Sequence, residues 1–274
     1  MKLREIVLQM ILAIAGIVML TPFAWMISLS LKTEQDILTS QLRVFPPTWD
    51  FANYAQSWTD GHIGTFLLNG AIVTLSILAL QYLTIIPAAY VLARKQFRLN
   101  GFLFATVLAV LLVPQQVTAI PVYLLLGKLG LINTRAALIV PFATSAFGIF
   151  LLRQTFKSFP QELIDAARVD GASESYTLWN ILVPLSLPTL AAFGIFSIIV
   201  HWNDLFWPLL VVYDLGKSTP PLGISIFAAD TDGGSLEIGP MMASATLIVL
   251  PLCLTFLATR RRFIEGIAMT GLKR

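Results

Sequence analysis

Six long apolar runs, separated by shorter polar segments, dominate the chain. A helix that crosses the hydrocarbon core of a bilayer needs about 20 mostly apolar residues. The runs are residues 6–31, 65–93, 101–126, 136–152, 185–212 and 239–259. The fourth run is the shortest and is bracketed by Arg135 and Arg153, so it is expected to cross with little tilt. The pattern predicts an all-α membrane protein with six transmembrane helices in a single domain, residues 1–274.

The first apolar run follows Lys2 and Arg4, a basic start that signal peptides also have. A cleaved signal has an apolar stretch of about 7–15 residues, and this run is longer, so we predict a retained span. Pro87, Pro114 and Pro121 lie inside the second and third runs. Proline is tolerated there because neighbouring helices satisfy the freed carbonyl groups. The prolines therefore predict a packed bundle of kinked helices.

Lysine and arginine placement predicts the orientation, because cytoplasmic loops carry an excess of both. With the N-terminus inside, thirteen basic residues are cytoplasmic: Lys2, Arg4, Arg94, Lys95, Arg98, Arg153, Lys157, Arg168, Arg260, Arg261, Arg262, Lys273 and Arg274. Five basic residues are then outside: Lys32, Arg43, Lys128, Arg135 and Lys217. Both termini are therefore predicted to be cytoplasmic.

Composition agrees with a membrane protein and narrows the classes of function. The 274 residues are 57% hydrophobic and 12% charged, whereas a soluble domain carries about 25% charged residues. A net charge of +3 gives no reason to expect nucleic acid as a partner. The single cysteine, Cys253, excludes a disulfide framework and a cysteine-based metal site. We expect no metal and no cofactor.

Two features of the sequence suggest catalysis, but each lacks residues that a catalytic site requires. The run of Gly216, Lys217 and Ser218 is similar to the end of a phosphate-binding loop, but Val211 occupies the position of that motif's first glycine. The run also lies in a predicted turn-rich outer loop, residues 213–238. The two histidines, His62 and His201, have no plausible nucleophile beside them by motif. We therefore expect no catalytic residue and no ATP hydrolysis by this chain.

The longest polar stretch on the predicted cytoplasmic side lies between the fourth and fifth runs, at residues 159–184. Pro160 suits the first turn of a helix, where its missing N–H costs nothing. Gly171 is a natural stop, because glycine takes the left-handed C-terminal position cheaply. The pattern predicts a short helix between these two residues, with one side formed by Leu163, Ala166, Ala167 and Asp170. A second short helix, residues 172–182, would run into Pro184.

This short helix could bind either lipid headgroups or another protein. Helices that lie on lipid are rich in lysine and arginine and carry bulky apolar anchors. Here Glu162, Asp165, Asp170 and Glu174 stand against Arg168 alone, and four acids would be repelled by an anionic leaflet. A protein partner is the better prediction.

Residues 162–172, followed by residues 181–184 and Pro188, resemble the EAA loop of the permeases of binding-protein-dependent ABC importers. The usual form of that loop is Glu-Ala-Ala, then Asp-Gly-Ala, then Ile-x-Leu-Pro. This chain has Asp165 in place of the first glutamate and Val183 in place of the leucine. Both changes keep the charge or the apolar character.

The resemblance extends along nearly the whole chain. Residues 46–54, 202–204 and 261–271 resemble the carbohydrate branch of the family, and most of all the maltose-type second permease subunit. A coupling helix between spans four and five is part of what this resemblance implies. It docks on a cytoplasmic ATPase through the residues matched to the motif: Glu162, Asp165, Ala166, Ala167, Asp170 and Gly171.

The resemblance also implies a function and a set of partners. The chain would be the multi-pass transmembrane subunit of an ATP-driven importer in the bacterial cytoplasmic (inner) membrane, forming half of the translocation pathway for a sugar or related polyol. The implied partners are a dimer of cytoplasmic ATP-binding subunits, a second related permease, an external solute-binding protein and the lipid bilayer. ATP hydrolysis would belong to the partner, so the chain itself would not be an enzyme.

Polar residues in the fifth apolar run are candidates for the translocation pathway: His201, Asn203 and Asp204. An ionisable residue in a span raises the free energy of membrane insertion by a few kcal/mol, so it is by default a functional candidate. Counted from Pro184, Asp204 would lie about 30 Å along a continuous helix, towards the outer mouth. His201 and Asp204 are three residues apart and could pair directly. A structural hydrogen bond to a neighbouring span is the equally weighted alternative.

Two other functions compete with the importer subunit. An ion-driven secondary transporter usually has duplicated halves and charges at the midplane, and this chain shows no internal repeat. A membrane-embedded enzyme should carry clusters of catalytic side chains deep in its spans, and these runs are nearly bare. Co-purification with an ATPase distinguishes the three.

Overall fold

The computed structural model describes residues 3–39, 43–229 and 237–271, and over residues 258–271 it describes the helix but not its side chains. Three basic residues from the orientation count, Lys2, Lys273 and Arg274, lie outside these ranges. So do residues 230–236 of the predicted turn-rich outer loop, residues 213–238, whose described part contains a helix, Pro220–Ala229, that the sequence did not predict.

Helices account for all the regular structure within the described ranges. The first eight are α1 (Leu3–Ser30), α2 (Glu34–Leu38), α3 (Ala52–Thr59), α4 (Ile63–Arg94), α5 (Asn100–Leu111), α6 (Gln115–Lys128), α7 (Arg135–Ile139) and α8 (Ala146–Ser158). The others are α9 (Gln161–Val169), α10 (Glu174–Tyr176), α11 (Val183–Leu185), α12 (Leu187–Trp202), α13 (Phe206–Val211), α14 (Pro220–Ala229) and α15 (Ile238–Gly271). Short 3-10 turns cover Val140–Phe142 and Leu215–Lys217, and a π-helix covers Thr177–Leu182.

The helices form two compact units. One comprises Met1–Leu67 with Leu222–Pro251, and the other comprises Leu68–Pro221 with Leu252–Arg274. In the first unit, the Asn53 side-chain amide donates to the carbonyl oxygens of Ser30 and Lys32 at 3.1 and 2.8 Å. This amide satisfies acceptors left free where α1 ends. The single domain predicted over residues 1–274 stays a prediction.

The prediction of an all-helical membrane protein is confirmed at the level of its helices. In the described part of the chain, four segments are long and apolar enough to cross a membrane: Arg4–Ser30, Ile63–Arg94, Arg135–Ser158 and Ile238–Leu257. Two bent pairs would raise the number to six if each is one span: Asn100–Leu111 with Gln115–Lys128, and Glu174–Leu185 with Leu187–Trp202. The exact number of spans and the side of each terminus stay predictions.

The third apolar run, residues 101–126, is not one helix as the sequence predicted. Helix α5 ends at Leu111, α6 begins at Gln115, and their axes differ by 101°. Pro114 lies in the break with extended backbone, φ −63° and ψ 136°. Proline has no N–H to donate and disfavours helical backbone in the residue before it, so Pro114 produces a break instead of the expected kink.

The fourth and fifth runs also differ from their predictions. The fourth was expected to be short, ending before Arg153, but the helical segment continues to Ser158 and Arg153 is only 8% exposed inside it. The fifth, residues 185–212, is interrupted by a 74° bend at Ser186 and by a gap between α12 and α13. Asp204 lies in that gap, so the continuous helix used to estimate its depth is not present.

One apolar core of the second unit packs directly against the predicted coupling segment. Its buried members come from α4, α8, the π-helix and α12: Ile85, Ile86, Ala89, Tyr90, Leu152, Phe156, Leu178, Leu182, Leu190 and Phe193. Helices α4 and α12 approach closely at Gly194, where a β-carbon would lie 2.3 Å from the hydroxyl oxygen of Tyr82. That hydroxyl donates to the Leu190 carbonyl oxygen at 2.8 Å.

Replacing Gly194 with alanine is expected to destabilise the protein, because the added methyl group would collide with the Tyr82 hydroxyl. Overpacking of this kind costs about 1–3 kcal/mol. Tyr82→Phe removes the colliding oxygen, so the double variant should recover part of the loss. Thermal unfolding of the purified protein in detergent measures both effects, and strictly additive changes would argue against this contact.

Candidate functional site

The segment between α8 and α12 has the local geometry expected from its sequence. Helix α9 begins at Gln161, directly after Pro160, and ends at Val169. Gly171 has a φ of +79°, the left-handed conformation that glycine adopts readily. The Ala172 amide donates to the Ala167 carbonyl oxygen at 2.9 Å. This bond closes the helix end in the manner of a Schellman motif, so the predicted role of Gly171 as a helix stop is confirmed.

The two sides of α9 differ from the predicted arrangement in one respect. Ile164 and Ala167 are buried, at 3% and 7% exposure, so this side faces the protein itself. The sequence grouped Ala167 with Leu163 and Ala166 on a side open to a partner, and for Ala167 that grouping is wrong. The opposite side is exposed and carries Glu162, Asp165, Ala166, Val169 and Asp170. We call these five residues the α9 outer surface.

Charged contacts surround the α9 outer surface. Gln161 donates from Nε2 to Asp165 Oδ1 at 3.1 Å. Arg168 lies 4.0 Å from a carboxylate oxygen of Asp165 and 4.0 Å from one of Glu174. The Lys95 ammonium, at the end of α4, also pairs with Glu174. The surface therefore presents acids on its rim and an apolar side chain, Val169, that is 87% exposed.

The chain after Gly171 is helical again, as expected, but it does not form a regular α-helix. The Ser173 hydroxyl accepts from the Tyr176 amide at 3.2 Å and caps α10. A π-helix then covers Thr177–Leu182, with Thr177, Leu178 and Leu182 buried. π-helical turns are rare and are frequently found at functional sites. No residue pattern predicted this one.

The candidate pathway residues are brought near one another, although not as the predicted ion pair. In the described part of the chain, His201 and Asp204 bind other partners instead of each other. His201 Nε2 lies 3.3 Å from Gln81 Nε2, and the Asp204 carboxylate accepts from the Trp207 amide at 3.2 Å. Asp204 thus caps α13, while the Asn203 amide donates to the Ile199 carbonyl oxygen at 2.7 Å.

Gln81 is the centre of a buried polar cluster that sequence reasoning missed. Its side chain is 3% exposed. It accepts from the Ser197 hydroxyl at 2.6 Å and donates to the Phe142 carbonyl oxygen at 3.2 Å. The signal was available, because Gln81 is a strongly polar residue in the second apolar run and such residues are expensive inside membranes.

A cavity of about 240 Å³ opens at the break between α5 and α6. It is lined by Val110, Val113, Gln115, Thr118, Ala119, Val122, Pro141, Phe142 and Trp207. Phe142 links the cavity to the polar cluster, since its ring centroid lies 5.0 Å from that of His201. The cavity wall combines aromatic rings with an amide and a hydroxyl, a combination suited to a solute that is partly polar.

The hydrogen bonds of residues 216–218 differ from those of the phosphate-binding loop that this segment is similar to. A phosphate-binding loop directs its backbone N–H groups at the anion, but here the Gly216 amide donates to the Asp214 carboxylate at 2.9 Å. Lys217 lies 2.9 Å from the same carboxylate, and these two donors hold the pKa of Asp214 below its usual range. The carbonyl oxygens of Gly216 and Ser218 accept from the Asn69 amide. Within the described ranges, no cluster of three metal-binding side chains is present.

Residues 85–268 match the family described as binding-protein-dependent transport system inner membrane component. The diacetylchitobiose uptake system permease protein NgcG of Streptomyces coelicolor is 30% identical over 94% of this chain and 85% of its own length. The lactose transport system permease protein LacG of Rhizobium radiobacter is 32% identical over 97% and 95%. The sn-glycerol-3-phosphate transport system permease protein UgpE of Pectobacterium atrosepticum is 30% identical over 85% of each.

The fold is also similar to that of a chain in the crystal structure of a bacterial ABC transporter that imports the acidic polysaccharide alginate. The TM-score is 0.84, with 24% identical residues, and the match covers 96% of this chain and 97% of the other. At 24% identity, this similarity shows a shared fold and nothing more. The family match includes the α9 outer surface, the π-helix and the cavity.

Proposed function

The chain belongs to the family of binding-protein-dependent transport system inner membrane components, and we propose that it couples a cytoplasmic ATPase to solute movement through α9. It is a multi-pass inner-membrane permease subunit of a sugar ABC importer, and its role is transport, not catalysis. The observation that carries the coupling proposal is the α9 outer surface, where Val169 is 87% exposed and Glu162, Asp165 and Asp170 are exposed as well.

The ATPase is the partner that the α9 outer surface suits best. An exposed apolar side chain beside acidic residues is complementary to an apolar pocket with a basic rim. The acids that would face such a rim are Glu162, Asp165 and Asp170. Ala167 supports this surface from behind, because its methyl group packs inward. Gly171 ends the helix and lets the chain turn back towards α12.

The proposed topology has six spans and two cytoplasmic termini, with each bent pair counted as one span. The distribution of basic residues supports it: thirteen of eighteen lie on the proposed inner side. A second, related permease would supply the other half of the pathway, and an external binding protein would deliver the solute.

We propose a sugar or a related polyol as the transported solute. By their names, the three relatives reported above belong to systems that take up or transport diacetylchitobiose, lactose and sn-glycerol-3-phosphate. The cavity at the α5–α6 break supports a solute of this class, because Phe142 offers an aromatic ring while Gln115 and Thr118 offer hydrogen-bonding groups. His201, behind Phe142, would set the position of that ring.

Reconstitution into lipid vesicles tests the function of the complex. The permease, expressed with its neighbouring transport genes, should co-purify with an ATPase, and uptake should require ATP together with the external binding protein. An ion-driven transporter would instead work as a single chain and stop when ionophores collapse the ion gradient. Uptake by the purified single chain without ATP would overturn the proposal in favour of that alternative.

Asp204→Ala tests the proposed pathway residues. We expect reduced uptake or a changed solute preference, because the carboxylate lies in the gap between α12 and α13 where the fifth run is interrupted. Asp214→Ala is the control, since the Asp214 carboxylate also accepts from a backbone amide but lies in the proposed outer loop, where it also pairs with Lys217. If both variants keep normal uptake and normal preference, Asp204 only caps α13.

A further inference from the structure

Two helices end side by side at the coupling segment, and each is capped by an arginine from the other. The last carbonyl groups of a helix have no partner within it. Arg153 of α8 donates from Nε to the carbonyl oxygen of Leu92, near the end of α4, at 3.0 Å. Arg94, the last residue of α4, donates from Nη2 to the Phe156 and Phe159 carbonyl oxygens at the end of α8, at 2.5 and 2.7 Å. We call this pair of interactions the arginine exchange.

The arginine exchange continues into the coupling helix itself. Arg94 also donates from Nη1 to Gln161 Oε1, in the first turn of α9, at 3.1 Å. The next residue, Lys95, pairs with Glu174 beyond Gly171. The end of α4 therefore holds the coupling segment on both sides of α9. A guanidinium can bind these three acceptors at once because it is planar and carries five donors, whereas a lysine ammonium cannot reproduce that geometry.

The other end of the exchange is connected to the cavity. The Arg153 guanidinium carbon lies 3.5 Å from the centroid of the Phe104 ring in α5, and its residue is only 8% exposed. Asn100, the first residue of α5, donates to the Leu92 and Lys95 carbonyl oxygens at 3.3 and 2.7 Å. Helix α5 contributes Val110 to the cavity wall, and Val113 follows in the break before α6. A continuous set of contacts thus runs from α9 through the exchange to the cavity.

We propose that Arg94 and Arg153 are positioning residues for coupling, and that they make the cytoplasmic ends of α4, α5 and α8 move together with α9. A displacement of α9 by the ATPase is then passed to α5, beside the cavity, instead of being absorbed in the loop. This inference rests on the proposed function, because it takes α9 as the contact with the ATPase.

A purely structural role for the two arginines makes a different prediction. If they only stabilise the helix ends, a weakened variant should yield less assembled complex but hydrolyse the same amount of ATP per solute imported. If they transmit motion, the assembled complex should still hydrolyse ATP, yet import less solute for each ATP. The ratio of ATP hydrolysed to solute imported, measured per assembled complex, separates the two roles.

Arg94→Lys and Arg153→Lys are the variants to compare, since both keep the charge and lose the forked geometry. The expected result in reconstituted vesicles is a rise of about fivefold or more in ATP hydrolysed per solute, a change within the usual range of coupling between sites. Arg135→Lys is the matched control. Arg135 also donates two hydrogen bonds, from Nε and Nη2 to Asn69 Oδ1 at 3.2 and 2.9 Å, but at the other end of α4. Its ratio should stay at the wild-type value.

Two results of this measurement would overturn the inference. An unchanged ratio in Arg94→Lys, or uptake and hydrolysis that fall together with the amount of complex, shows that the arginines act only as caps. Should Arg94→Lys not accumulate, Gln161→Ala removes the exposed contact that joins Arg94 to α9 and should raise the ratio in the same direction. A wild-type ratio in that variant also overturns the inference. Failure of the wild-type chain to bind an ATPase would instead overturn the proposed function.

Discussion

Gly171→Val is expected to reduce ATP-driven uptake about tenfold or more, while the protein still inserts into the membrane. Gly171 has a φ of +79°, and open space surrounds the position where a β-carbon would stand. The penalty is therefore conformational and not a steric clash with neighbours. A left-handed conformation costs a residue with a side chain about 1–2 kcal/mol, and more when that side chain is β-branched. A cost of about 1.4 kcal/mol lowers the population of the correct turn tenfold.

Gly130→Val is the matched control for this effect. Gly130 also has a positive φ, +68°, and open space around the β-carbon position, but it lies in the turn between α6 and α7. The two substitutions should lower stability to a similar extent, so thermal unfolding in detergent should not distinguish them. Only Gly171→Val should lose uptake, measured in vesicles with the whole complex. Equal uptake in the two variants would remove Gly171 from the coupling role.

Val169→Asp is expected to abolish the stable complex with the ATPase without unfolding the permease. Val169 is 87% exposed, so a charge there costs the isolated permease little. In the complex the new carboxylate would have to enter a pocket that received an apolar group. A buried charge without a partner costs about 3–5 kcal/mol, which lowers affinity more than about 100-fold. Co-purification of the ATPase with a tagged permease is the measurement.

Two further variants make that result specific. Tyr213→Asp introduces the same charge at another exposed side chain, 76% exposed in the proposed outer loop, and should leave the complex intact. Ile164→Ala removes a buried side chain from the inner side of α9 and should lower stability by about 2–5 kcal/mol. If Val169→Asp behaves like Tyr213→Asp, the ATPase does not bind through the α9 outer surface.

The local structure of α9 was well predicted because its signals are local. Pro160 before α9 and Gly171 after it restrict their own backbone conformations, and neither restriction depends on the rest of the chain. The sides of α9 were harder to assign. Ala166 and Ala167 are identical in chemistry, and only the contacts of α9 with the rest of the second unit decide that Ala167 is the buried one.

The apolar runs were found correctly, but their continuity was not. Mean hydropathy is an average over neighbouring residues, and its value is the same for a straight helix and for two helices joined by a sharp bend. Residues 101–126 break at Pro114, which has no N–H to donate, and the axes of α5 and α6 differ by 101°. The gap that contains Asp204 and the π-helix at Thr177–Leu182 likewise leave the mean hydropathy unchanged.

From the sequence alone follow the class of membrane protein, the place of α9 and its two ends, and the resemblance to importer permeases. Each of these depends on composition or on residues close together in the chain. The tertiary structure decided where the apolar runs break, which side of α9 is exposed, and which groups the buried polar residues bind. Arg94 and Phe159 are 65 positions apart and Gln81 and His201 are 120 apart. Such pairs form only once the helices have packed, because each buried donor takes whichever acceptor the fold places beside it.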